Sequence, residues 1–122
     1  MLPPSHCDRI QEFVNVLKQL HPTVNSAPHN QEDISLSSTF QEVKKFFQEQ
    51  IVSLTDDNLD SDDAYRMRSY LTEIHRLMRL LQMDMMFLQA SRNPVTEKQR
   101  QSGMSDRIKT LIDYCEAWVQ NQ

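Results

Sequence analysis

Glycine is almost missing from this chain: Gly103 is the only one in 122 residues. An all-β domain of this length needs several glycines for its turns, so strand-rich folds are disfavoured. The same shortage removes Gly-rich phosphate loops, nucleophile elbows and oxyanion nests. No apolar run approaches the ~18 residues that a membrane span needs. Met1-Leu2-Pro3-Pro4-Ser5 has neither a basic nor an apolar leader segment, so no secretory signal is expected. Cysteine is scarce, with Cys7 and Cys115 far apart. Reduced packing thiols in a cytoplasmic protein are the expectation. Excess positive charge is also missing: the net charge is −4, which argues against a nucleic-acid partner.

What is abundant is Gln, Glu, Leu, Met, Arg and Lys, side chains that lose little freedom in a helix. The length suits one domain. Charge divides unevenly. Residues 1–60 hold 4 basic and 9 acidic side chains, and residues 61–122 hold 9 and 8.

The apolar spacing predicts four helices. The first covers about 5–20, with Ser5 as a cap and a stripe of Ile10, Phe13, Val14, Leu17 and Leu20; His21-Pro22 should stop it. Residues 22–36 read as a flexible polar linker. The second helix covers about 37–54, with Phe40, Val43, Phe46, Phe47, Ile51 and Leu54 facing inward. The third is the longest, about 61–91. Met67, Leu71, Ile74, Met78, Leu81, Met85 and Leu88 alternate steps of four and three, a 3.5-residue repeat over three heptads. Asp60 or Ser61 should cap it. The fourth covers about 95–119, with Asn93-Pro94 suited to its start and Ser102-Gly103 to a bend or break. The expected fold is all-α, a four-helix bundle-like single domain over 1–122 with a long central third helix.

Candidate chemistry is sparse. Asp56, Asn58 and Asp60 match the first ligand spacings of a calcium loop. Ser61 stands where its glycine belongs, however, and Met67 where its bidentate Glu belongs. His6, Cys7, His21 and His29 follow no zinc spacing. No metal or cofactor is expected, and no catalytic machinery is legible. His75, between Glu73 and Arg76, is the candidate phosphoacceptor of a histidine-phosphotransfer domain. Such domains usually carry Lys and Gly three and four residues later, where this chain has Met78 and Arg79.

Two patches on the third helix suit a protein partner. Arg68, His75 and Arg79 are spaced by seven and four on one side, with Arg76 nearby. A salt-bridged surface would look the same, Glu73 and Asp84 being available. Met83, Met85, Met86 and Phe87 form the second patch. Flexible thioethers suit adaptable binding, but a long central helix should be most buried there, so core is the simpler expectation. The candidate contacts are Arg68, Arg76, Arg79, Met86 and Phe87. A further expectation is a homodimer through the third-helix seam.

The run Leu80-Leu81-Gln82-Met83-Asp84-Met85-Met86-Phe87-Leu88-Gln89-Ala90-Ser91-Arg92, with Pro94 and Arg107-Ile108-Lys109-Thr110-Leu111-Ile112-Asp113-Tyr114-Cys115, resembles the C-terminal half of the PatD family. The opening Met1-Leu2-Pro3 with Ser5 and His6 also fits. That resemblance implies a non-enzymatic regulator of heterocyst frequency in filamentous cyanobacteria. It also implies the division protein FtsZ as partner, with no binding motif to carry over.

Overall fold

The computed structural model describes residues 2–25, 33–57 and 59–121, with the side chains of 25 and 33–35 left aside. The fold is all-α. Four helices follow one another: α1 (Pro4–Asn25), α2 (Asp33–Phe46), α3 (Ser61–Ala90) and α4 (Pro94–Gln120). A π-helical turn, Phe47–Ile51, extends α2. Among the described residues there is no strand, and no helix is long and apolar enough to cross a membrane.

α1 differs from the sequence expectation at both ends. Pro4, not Ser5, opens it: the His6 and Cys7 amides donate to the Pro3 carbonyl at 3.0 and 3.2 Å. A proline at the first helical position has no amide to leave unpaired. At the other end the helix runs through Pro22 to Asn25. A proline inside a helix costs ~3 kcal/mol or more. The extra turn places Val24 in the core at 0 % exposure, a burial worth ~1.5–3 kcal/mol, and Thr23 Oγ1 donates to the Leu20 carbonyl at 2.6 Å. Packing thus offsets a local stop signal.

The linker is correspondingly shorter than 22–36. Its first residues belong to α1, and its last four, from Asp33, belong to α2, where Leu36 is buried. Residues 26–32 lie outside the described segment. α2 also departs from a plain helix to Leu54. The Val52 amide donates to the Phe47 carbonyl at 2.9 Å, the wider bond of a π turn. Phe47, Ile51 and Leu54 still reach the core.

α3 begins where its cap dictates. Asp60 Oδ1 accepts from the Asp63 amide at 2.8 Å, and Asp62 and Asp63 sit in the first turn, where the helix dipole favours negative charge. Its 30 residues span about 45 Å. The seam Met67, Ile74, Met78, Leu81, Met85 and Leu88 is buried in the chain's own core, joined by Leu77, with Leu71 partly exposed. Asn93 caps α4, its Oδ1 accepting from the Val95 amide at 2.8 Å, with Pro94 at the first helical position. α4 is continuous through Ser102-Gly103, so the helix does not break there. Met104 and Ile108, both fully buried just after it, anchor the helix to the core beyond the weak point.

α4 is the organising helix. It packs against both α1 and α3, while α2 packs against α1. α3 and α4 run antiparallel, their partners climbing one as they descend the other: Tyr70 with Trp118, Asp84 with Arg107, Phe87 with Arg100. The core is one cluster built on Trp118, Phe13, Ile10, Leu17, Ile74 and Leu111. α2 and α3, by contrast, make no close backbone contact. That side of the bundle stays open.

Candidate partner-binding face

The outer side of α3 carries every candidate contact proposed from the sequence, but the structure separates them. Arg68 is held by Asp56 of the preceding loop, guanidinium to carboxylate at 2.6 Å. Arg76 pairs with Glu73 one turn back at 2.5 Å, and that bond raises the guanidinium pKa further. Both pairs are solvent-exposed and worth little. They border a shallow depression with Tyr65, Ser69, Thr72 and Tyr114. The tyrosine hydroxyl of Tyr114 is pushed up first by burial, then by the Glu73 charge.

Arg79 lies elsewhere. It lines a groove of about 220 Å³ between α2 and α3 together with Lys44, Phe47, His75 and Gln82. The basic side expected from the spacing is therefore two sites: a neutralised one holding Arg68 and Arg76, and a second holding Arg79 and His75. The His75 imidazole meets the Phe47 ring edge-on, centroids 5.0 Å apart. Lys44 is the contact that sequence reasoning missed. Nothing in the α2 pattern announces it, because the groove exists only once α2 and α3 are side by side.

The methionine-rich end corrects the expectation of simple core. Met85 is buried, but Met83, Met86 and Phe87 are 45 %, 62 % and 47 % exposed. The reason is helical spacing: all three fall on the side of α3 turned away from the buried seam of Met78, Leu81, Met85 and Leu88. Phe87 leans toward α4, where Arg100 lies over its ring at 4.8 Å, a cation–π contact.

The remaining candidates are engaged in structure. Asp60 caps α3 and Asp56 pairs with Arg68, while Asn58 lies outside the described residues. His6 Nε2 donates to the Thr55 carbonyl at 2.8 Å, leaving Nδ1 buried without a partner. His21 Nε2 and Ser105 Oγ are 2.9 Å apart, and His29 lies outside the described residues. Among the described residues no group of three His, Cys, Asp or Glu side chains is placed to hold a metal. Both thiols are unpaired. Burial pushes Cys115 up to about 12, and burial followed by the Asp8 charge raises Cys7.

No curated protein and no solved structure matches the chain. The model of the CRR41 C-terminal domain family matches residues 8–116. That match replaces the resemblance to PatD. The residues that carried the resemblance are the Leu-, Met- and Gln-rich turns of two long amphipathic helices. Core packing alone selects such a pattern, and it contains no motif specific to one family. FtsZ and heterocyst control rested on that resemblance and lose their support with it. Nearly the whole described bundle, from the second turn of α1 to the turn before the last of α4, falls within the matched span, and the chain belongs to the CRR41 C-terminal domain family.

Proposed function

We propose that this domain is a non-enzymatic interaction module whose docking face is the outer side of α3. The observation that carries the reading is the exposure of Met83, Met86 and Phe87 side by side on the second half of one helix. Large apolar side chains clustered on an otherwise polar surface mark binding faces, and thioethers adapt to a partner's contours. Arg68 and Arg76 of this face sit in ordinary surface pairs, which fits recognition better than catalysis. A cytoplasmic location suits two unpaired thiols.

The test replaces Met83 and Met86 with Ser and uses wild type and variant as paired baits. Both side chains are exposed, so the fold should survive, as the Trp118 emission would report. The reading expects the proteins held by wild type to be lost from the variant. Equal recovery by both baits would overturn it.

A second reading keeps His75 as a phosphoacceptor. Its support is the groove, where Lys44 and Arg79 stand beside the imidazole and would offset phosphoryl charge. In that reaction a receiver aspartyl phosphate gives up its phosphoryl group: the acyl P–O bond breaks and an N–P bond forms at the imidazole. An acid-labile label that disappears in His75→Gln would support it, and an unlabelled wild type would remove it.

A further inference from the structure

Lys44 of α2 and Arg79 of α3 line the same groove on the open side of the bundle, and neither has a carboxylate partner among the described residues. Arg68, Arg76, Arg107 and Lys18 each hold an Asp or Glu oxygen within 3.2 Å. Lys44 and Arg79 have no such partner among the described residues. Local sequence explains this. The helix neighbours of Lys44 at three and four residues are Phe40, Gln41, Phe47 and Gln48, and those of Arg79 are His75, Arg76, Gln82 and Met83. No i,i+4 acid is there to neutralise either. The residues lining the groove include no acid at all. In a chain of net charge −4, this is a local cationic spot.

The groove's shape narrows the ligand. Its floor is apolar, made by Phe47 and Met78, each only 5 % exposed. A volume of about 220 Å³ is below the ~300–1,000 Å³ of small-molecule sites, so it accommodates a side chain or two rather than a metabolite. Met86 stands one turn beyond Gln82 on the same ridge of α3, 62 % exposed. A bare, strongly hydrated anion gains nothing from that apolar floor and extension.

We infer that the groove between α2 and α3 receives an acidic, amphipathic segment of the protein partner. One carboxylate of the segment sits between Lys44 and Arg79, and its apolar side chains rest on Phe47 and Met86. Charge complementarity selects the occupant: two cations and no acid line the groove, so a carboxylate is the group it favours, and Arg79 can bind it through two parallel N–H bonds. The inference rests on the interaction-module reading and names the partner's chemistry.

The experiment is an amide NMR titration of the whole domain with a short peptide of repeating Glu-Glu-Leu-Leu, alongside its Gln-for-Glu counterpart and inorganic phosphate. The acidic peptide should shift the amides of residues 44–48 and 75–86, and added salt should weaken it. Lys44→Glu with Arg79→Glu should weaken it by about tenfold or more, and the neutral pair Lys44→Gln with Arg79→Gln by a smaller factor. Equal binding of the Gln peptide, unchanged binding to either double variant, or the same shifts from phosphate alone would each overturn the inference. If the Met83/Met86 variant loses the natural partner while Lys44→Glu/Arg79→Glu keeps it, the module reading stands and the acidic segment is excluded.

Discussion

Tyr70 of α3 and Trp118 of α4 lie face to face, ring planes 7° apart and centroids 4.8 Å apart. Tyr114 closes on the same tyrosine at 5.3 Å. Trp118 is 1 % exposed and heads the largest buried side chains, while Tyr70 is partly exposed. The pair clamps the start of α3 to the end of α4.

Trp118→Ala should therefore cost about 3–5 kcal/mol, a large share of a small domain's total stability. Tyr70→Ala should cost less, about 1–2 kcal/mol, because part of its surface stays exposed in the fold. Urea unfolding followed by circular dichroism gives both numbers. A Tyr70 effect equal to that of Trp118 would mean that the stack, rather than burial, holds these helices.

Gly103 is the cheapest place to strengthen the fold. It sits in a continuous helix, and a Cβ built on it meets nothing within 4 Å. Gly103→Ala should stabilise by about 0.5–1 kcal/mol. A thermal midpoint that rises by a few degrees is the expected readout, and a fall would reveal a bend that α4 needs.

Both long helices depend on side-chain caps. Asp60→Ala and Asn93→Ala should each cost about 1 kcal/mol, since each leaves an amide of the first turn unpaired. Asp60→Asn should recover most of the loss, because the amide oxygen accepts the same bond.

The buried thiol makes stability fall in alkali. Burial raises Cys115 from 9.0 in the unfolded chain to about 12 in the fold. Between those values the unfolded state has lost the proton and the native state keeps it, so its contribution is intact below pH 9 and is lost as pH rises. The slope approaches about −1.4 kcal/mol per pH unit. Cys115→Ala should flatten the decline in denaturation measured across pH 9–11. The native thiol should also resist a thiolate-selective reagent at pH 8 until the protein is unfolded.

The surface arginines should prove uneven. Arg68→Ala and Arg76→Ala should leave stability within about 0.5 kcal/mol. Arg107→Ala should cost more, about 1 kcal/mol, because its 3.0 Å bond to Asp84 is partly buried between α3 and α4. Chemical denaturation of the three variants ranks them.

Helix identity and most of the core were already written in the spacing of apolar residues. Phe13, Phe40, Ile74, Leu81, Ile108 and Leu111 had to point one way on their helices, and Asp60 and Asn93 marked their starts, because capping and amphipathicity act within a turn or two. Tertiary structure decided what depends on neighbours remote in sequence. Val24 helps draw α1 past Pro22 because its burial offsets much of a local penalty. Met83, Met86 and Phe87 stay outside because no other described helix covers the side of α3 turned away from its seam. Lys44 and Arg79 line one groove only because α2 and α3 come side by side. A sequence pattern says which face of a helix is apolar, but only the packing of the other helices says how much of that face is covered.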